Sequence, residues 1–375
     1  MAPKIKVQDN LVSLSMQRVG QNKILDALTD IGKDEKARAE IIKTLKKIEK
    51  DVKLPKDRSI REELTGPMAD ALYKDAGVLT KKLKDGTIFN FRYLSKIARD
   101  FILSPDEKPD HVFEPQTTKL FLHLAKGAKN VIIGGAYAGD HAIPGAKVIG
   151  KKGVIHGFEP SDEQRKLLVQ NAKANKVASN IKAVGTGLWN KELELELVGD
   201  DAFAHAVPLR GKKTKKTISF PATSIERYAA KNKIENIDLI LMDIEGSELP
   251  ALQGAAKFLS QPAGKAPNII FEVHRYYVDW SKGLENAEIV KYLNKFGYHV
   301  YALRDFQSNV PMAKCKIELI EPKHVYLKGP PHGFNMLAVK DKSILKSSLF
   351  RMVKNVSPKL LLHKDPALHA PMEWQ

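Results

Sequence analysis

Residues 131–160 read VIIGGAYAGDHAIPGAKVIGKKGVIHGFEP, and this stretch decides the fold. An apolar strand, Val131 to Ile133, runs into a turn spaced by Gly135 and Gly139 that opens a helix. A second short apolar run then ends in the acid Glu159. That is the pattern of a nucleotide-binding βαβ unit. Glycines let the backbone approach a ligand closely, and a helix N-terminus offers unpaired N–H groups. An acid at the end of the second strand can take both hydroxyls of a ribose.

The chain around it has 375 residues, 43% apolar and 28% charged, enough for one large or two ordinary domains with a sizeable core. No apolar run is long enough to cross a bilayer, and the N-terminal MAPKIKVQDNLVSLS lacks the apolar core of a signal peptide. The single cysteine, Cys315, rules out a disulfide framework, so a reducing cytoplasm is the expected setting. It sits in AKCKIE, with no motif of a thiol nucleophile around it. Net charge is +17, which favours anionic partners, but the lysines are dispersed and read as solvated surface. Basic residues do not interleave with aromatic ones as a stacking platform for single-stranded bases requires.

Residues 1–110 read as mostly helical, through NKILDALTDI, ARAEIIKTLKKIEKDV and SIREELTGPMADALYKDAG. Ser59 is a plausible cap, Gly66-Pro67 an interruption, and Asp85-Gly86 a tight turn into a short strand. The amphipathic stripes of this region need a partner surface, either the cofactor cleft or a second copy in a homo-oligomer. SPDEKPD at 104–110 reads as a linker. From 111 to 342 strands are expected at 130–134, 153–158, 181–185, 237–242, 268–273, 298–303 and 334–339. Helices are expected at 115–126, 140–149, 161–176, 223–232, 247–259 and 285–296. This alternation is that of a doubly wound, Rossmann-like α/β sheet with a largely parallel core. ELELEL at 192–197 reads as an edge strand, followed by a mobile basic loop and a second short strand, and 304–331 as a long irregular excursion. The basic segment 343–375 reads as a tail. Leu345, Leu349, Phe350, Met352, Val353 and Val356 mix with Lys346, Arg351 and Lys354 in the manner of an amphipathic helix. Such a helix packs on the protein's own surface or makes a peripheral membrane contact.

A dehydrogenase would want a tight G-x-G-x-x-G turn, whereas here a wider spacing persists. The run Ile133-Gly134-Gly135-Ala136-Tyr137-Ala138-Gly139-Asp140-His141 resembles the first motif of the FkbM-type S-adenosylmethionine-dependent methyltransferases. GFEP with Glu159 and Pro160, AVGTGLWN with Gly185 and Thr186, DIEGSE at 243–248 and FEVH ending at His274 match later motifs in the same order. EPQTT, opening at Glu114, is similar to the segment before the family's first strand. The resemblance spans roughly 111–342 and leaves out the N-terminal region. It implies a class I methyltransferase sheet and S-adenosylmethionine as cofactor. The cofactor would be held by Glu114, Gly135, Ala136, Tyr137, Gly139, Asp140, His141, Glu159, Pro160, Gly185 and Thr186. It also implies an acceptor hydroxyl on a sugar, glycan or glycosylated small molecule. Two positions depart from the family: its first-strand acid is Ile133, for which Glu114 is the substitute, and a common lysine is Leu241.

Methyl transfer needs the acceptor oxygen in line with the methyl group and a base for its proton. Asp243, Glu245 and His274 belong at the carboxyl ends of adjacent strands, where such sheets bind ligands. His274 is the expected base, Asp243 its orienting partner, and Glu245 a ligand of a sugar hydroxyl. With Glu272 these residues also offer oxygen ligands for Mg²⁺, but spacing alone does not make a metal site and none is expected. Ser247 and Glu248 read as helix capping residues, while Asp140 fits a cap or the cofactor equally. His156, His205 and His324 read as structural or surface residues. A nucleic-acid methyltransferase is the first alternative, although the NPPY-like run of such enzymes is replaced by MDIEG. A non-catalytic scaffold is the second.

Overall fold

The computed structural model describes residues 23–55, 58–198, 205–209, 218–328 and 333–375. They form two compact units: one runs to Thr80 and includes Phe91–Glu107, and the other comprises Lys81–Asn90 and Lys108–Gln375. Among the described residues no helix is long and apolar enough to cross a membrane.

The first unit is helical around Leu28, Ile42, Leu45, Ala69, Leu72 and Leu103. Asp34 caps the helix Glu35–Asp51 by accepting from the Lys36 and Ala37 N–H groups, both at 2.9 Å. Ser59 does cap the next helix, accepting from Glu62 N at 3.3 Å while Glu63 reaches back to Ser59 N at 3.1 Å. Gly66-Pro67 does not interrupt it. A π-helical turn, Arg61–Thr65, leads directly into the α-helix Gly66–Tyr73. Proline near the start of a regular segment gives up an N–H that the wider turn no longer needs.

The second unit is built on a nine-stranded sheet. Its strands are β1 Asn130–Gly134, β2 Val154–Phe158, β3 Ile181–Val184, β4 Leu239–Met242, β5 Asn268–His274, β6 His299–Leu303, β7 Ile317–Ile320, β8 Gly333–Val339 and β9 Phe350–Val353. Their order is β9-β7-β6-β8-β5-β4-β1-β2-β3. Strands β3-β2-β1-β4-β5 are parallel; β4 is apolar and buried throughout and β1 from Val131 onward is buried, as strands covered on both faces must be. The other half is not parallel. β8 runs antiparallel to both β5 and β6, and β6 antiparallel to β7. The direction of strand addition reverses at β1 and β4, which opens a crevice at their carboxyl ends.

Three expectations are corrected here. ELELEL is no edge: Leu193–Val198 is flanked on both sides in a separate four-stranded sheet, paired with His205–Pro208 and Ser219–Thr223. The basic loop expected beside it falls mostly outside the described residues. The excursion after β6 contains β7, whose four residues are all buried. The tail forms no amphipathic helix. Residues 343–375 continue the second unit, and β9 extends the main sheet by pairing in parallel with β7. Arg304, fully buried, holds this segment with Nε on Ser357 O at 2.9 Å and Nη2 on Ala370 O at 2.6 Å. Its charge is met by Glu318 at 2.6 Å. β9 is the edge strand of that sheet, so the amphipathic helix on which the tail contact depends is not formed.

Candidate functional site

Strand register assembles the site. Phe158 lies beside Gly134, Gly134 beside Met242, and Met242 beside Phe271. The next residue of each strand or turn is therefore in one row along the carboxyl edge: Glu159, Gly135, Asp243 and Glu272. Residues far apart in sequence become neighbours because β2, β1 and β4 end level and β5 runs on beside them.

The turn after β1 is shaped by packing. Gly135 and Gly139 have φ of +74° and +98°. A Cβ at Gly135 would overlap the Asp243 carbonyl oxygen, and one at Gly139 would come within 2.8 Å of Leu168 Cδ1. Valine at 135 would thus collide with the protein's own backbone before it met a ligand, which corrects the expectation that Gly135 chiefly keeps ligand space clear. Ala136 N and Gly135 N both donate to Phe158 O at 3.0 Å. Tyr137 adopts φ +45° and donates its N–H to Glu159 Oε2 at 2.9 Å. Ser161 N donates to Glu159 Oε1 at 2.8 Å, so both carboxylate oxygens are aimed and each keeps a second lone pair. Burial raises the Glu159 pKa, and these two N–H groups with Arg165 oppose it. Arg165 also donates to the carbonyls of Glu159 and Pro160 at 3.0 and 3.3 Å, and its guanidinium covers Gly185. Beside it, Thr186 Oγ1 is buried without a hydrogen-bond partner.

Asp140 is not a helix cap. The helix Ala142–Val148 starts after His141, and Asp140 instead sits 3.3 Å from His141 Nδ1. Burial alone would depress His141, but the charges of Asp140, Glu114 and Asp243 outweigh it and raise its pKa. Glu114 precedes the helix Pro115–Ala125 at φ +47°, and its Oε2 accepts from Asn335 Nδ2 at 2.8 Å. Burial first, then Asp243 and Asp305, push its pKa up to about 8. Glu114 thus reaches the acid row from a separate element, as an acid standing in for Ile133 would have to.

After β4 the DIEG turn places Glu245 at φ +50° and Gly246 at +91°. Among the described residues, three of the six non-glycine residues with positive φ, Glu114, Tyr137 and Glu245, lie at this edge, where strain of about 1–3 kcal/mol each is characteristic of functional sites. Oxygens of Asp243, Glu245 and Glu272 lie within 4.8 Å of one another, a set that could hold a divalent cation. Asp243 is open to solvent although deep in the protein. Burial raises it and Asp140 adds repulsion, against His141 and a hydrogen bond with Glu272. Glu272 is raised well above the carboxylate range by burial and by its acidic neighbours, and Glu245 is pushed up to about 7. Ser247 makes no cap bond and its Oγ has no partner; Glu248 takes over by accepting from Ile244 N at 2.9 Å.

His274 ends β5 two residues after Glu272. Its Nδ1 accepts from Tyr276 N at 3.2 Å, and its ring stacks on Tyr276 at 4.9 Å. The neutral tautomer compatible with that bond carries its proton on Nε2. Sequence reasoning missed Tyr277, whose ring meets both His274 at 5.5 Å and His205 at 5.3 Å, and Asn335, which holds Glu114. No motif flags either, since one is placed by a loop and the other by an antiparallel strand. His156 is structural, with Nδ1 2.9 Å from the Tyr228 hydroxyl and its pKa depressed to about 4 by burial and Lys182.

A parallel β3-β2-β1-β4-β5 half continued by a reversed strand, a glycine turn after β1 and an acid after β2 together define a class I methyltransferase fold. Residues 134–300 match the family model described as methyltransferase FkbM domain, and that region of the chain is similar to this family. Among solved structures, it is similar to the methyltransferase FkbM from Methylobacillus flagellatus KT, with 16% identity over 64% of this chain and 52% of that one, TM-score 0.33. It is also similar to an O-methyltransferase from Bacillus cereus in complex with SAH, with 16% identity, 62% and 84% coverage and TM-score 0.33. M. jannaschii TYW2 in complex with AdoMet matches at 14% identity, with 70% and 84% coverage and TM-score 0.35. No curated protein matches the sequence.

Proposed function

We propose that the chain is an S-adenosylmethionine-dependent O-methyltransferase whose acceptor is a hydroxyl of a sugar, glycan or glycosylated small molecule. The observation that carries the cofactor assignment is Glu159, aimed by two backbone N–H groups at the end of β2 with lone pairs in reserve. A vicinal diol is the natural partner for such a carboxylate. Tyr137, Asp140 and His141 would flank the cofactor at the glycine turn, with Ala136, Gly135 and Gly139 forming its backbone. Gly185, Thr186 and Pro160 would border the base, and Glu114 with Asp243 would face the amino-acid end. Bound there, the cofactor supplies an electrophilic methyl group.

The chain's own residues then orient the acceptor and receive its proton. Glu245, at about 7, is matched to that task at neutral pH. His274 has its Nδ1 lone pair engaged by Tyr276, so we assign it a donor role through Nε2–H toward the acceptor. Asp243 orients the hydroxyl. The buried free thiol of Cys315 suits a reducing cytoplasm. A transfer assay with labelled S-adenosylmethionine over glycans, glycosylated small molecules and RNA tests the reading: label should enter a carbohydrate hydroxyl. Label entering RNA alone would replace the acceptor class, and no transfer to any acceptor would remove the catalytic reading.

A further inference from the structure

The helix Asp162–Ala174 lies against the glycine turn, with Leu168 Cδ1 so close that a Cβ at Gly139 would meet it at 2.8 Å. A second side chain of this helix joins the turn to a segment far upstream. Asn171 is fully buried, and its amide uses every hydrogen-bonding position it has. Oδ1 accepts from Asn90 N at 2.8 Å and from Asn90 Nδ2 at 2.9 Å. Nδ2 donates one hydrogen to Asn90 O and the other to Ala138 O, both at 2.9 Å. Ala138 stands inside the turn. The peptide after it is held at its other end as well, because Gly139 N donates to Ala136 O at 2.9 Å. Turning that peptide over would break both bonds and leave buried polar groups unpaired. The upstream segment is tied to two helices that border the turn. Lys147, on the helix Ala142–Val148, donates to Asp85 Oδ2 at 3.1 Å and to Thr87 Oγ1. Asn175 pairs with Ile88 N at 2.8 Å and Ile88 O at 2.7 Å, and its remaining Nδ2 hydrogen goes to Asn171 O at 2.8 Å rather than to the turn.

We propose that Asn171 is a positioning residue for the cofactor turn and that it couples cofactor binding to the docking of residues 88–90; this rests on the S-adenosylmethionine reading above. The segment belongs to the same compact unit as the turn, yet it precedes the region that matches the family model. Of the two asparagines that hold it, Asn171 alone also holds the turn, so the two events meet in one side chain. A turn already fixed in its binding shape loses less conformational freedom when a ligand arrives, and the ligand binds more tightly for it. The coupling is reciprocal: a docked segment that favours the cofactor is favoured by the cofactor through the same factor. A clamp that served stability alone would act otherwise. It would lower the melting temperature when either asparagine is removed and leave affinity for the cofactor alike in both variants.

The test uses the full chain with S-adenosylhomocysteine. Calorimetry reads the affinity of the wild type, Asn171→Ala and Asn175→Ala, while hydrogen exchange reads the Ile88 and Asn90 amides of the wild type with and without the ligand. Affinity should fall about tenfold in Asn171→Ala and stay within about twofold of the wild type in Asn175→Ala. Saturation with S-adenosylhomocysteine should slow exchange at Ile88 and Asn90 by about the same tenfold factor. Equal affinity in the two variants overturns the inference and leaves the cofactor reading standing. Unchanged exchange in the saturated wild type does the same, and this measurement decides the matter even if Asn171→Ala fails to fold. No binding by the wild type overturns the cofactor reading and the coupling together.

Discussion

Glu159 does two things with one carboxylate: it fixes Tyr137 at a positive φ and, on this account, binds the cofactor's ribose. Glu159→Ala should weaken S-adenosylhomocysteine binding by about tenfold or more, given ~1.5–3 kcal/mol per hydrogen bond to a charged group. Calorimetry on the folded variant checks this, and unchanged affinity would misplace the ribose. Gly135→Val tests a different matter. Because its Cβ would overlap the Asp243 carbonyl, the variant should show a lowered melting temperature and little folded protein. A folded variant that merely fails to bind would restore the ligand-space explanation. At the proton-accepting end, Glu245→Gln should cost ~10²–10⁴ in turnover, and His274→Ala distinctly less. Turnover of the wild type should rise as pH climbs through about 7, where Glu245 loses its proton. If His274→Ala is the more damaging change, the base is the imidazole.

One turn of helix acts as a sheet edge in this fold. On the helix Asp162–Ala174 and its C-cap, Asn171 and Asn175 each pair with the backbone of an extended segment. Asn175 Oδ1 accepts from Ile88 N at 2.8 Å and its Nδ2 donates to Ile88 O at 2.7 Å. Asn171 does the same with Asn90, at 2.8 and 2.9 Å, and also donates to Ala138 O at 2.9 Å. The match is geometric: four helical residues rise about 6 Å and two extended residues about 6.6 Å. Asn171→Leu should therefore destabilise by about 1–3 kcal/mol for each buried group left unpaired, read by denaturant unfolding. A neutral result would show that the segment is held otherwise. Nothing in the sequence announces this clamp, because two asparagines on a polar helix look like surface. The strands β1 to β6 and β8 were legible because apolar runs alternate with amphipathic helices. β7 and β9 were not: Lys316 directly precedes the one and Lys354 directly follows the other, and only Phe350 of β9 is buried. The same holds for the site. Glu159 and Asp243 follow strand ends, Glu272 lies among the last residues of β5, and all three could be placed from pattern, whereas Tyr277 is positioned by a loop.

The whole second unit concentrates acids at one edge of a basic chain, and this has a consequence for stability. Glu114 and Glu248 are pushed up to about 8, Glu245 to about 7 and Asp305 to about 6, burial being the first cause in each. Unfolded, such groups titrate near 4–4.5. The folded chain therefore holds more protons between those values, so their stabilising effect is complete below the unfolded pKa and is lost as pH rises through 6 to 8. His156, depressed to about 4, acts oppositely and destabilises as pH falls below about 6.5. The melting temperature should thus decline from pH 6.5 to 8.5, and Glu248→Gln should flatten the decline. A profile that rises over that interval would contradict the raised pKa values of these acids. The central claim, that this row and the glycine turn bind S-adenosylmethionine, is tested most directly by calorimetry of the full chain with S-adenosylhomocysteine. The account predicts saturable binding of one molecule per chain that weakens about tenfold in Glu159→Ala. No heat of binding to the wild type, or binding that ignores Glu159, would contradict it.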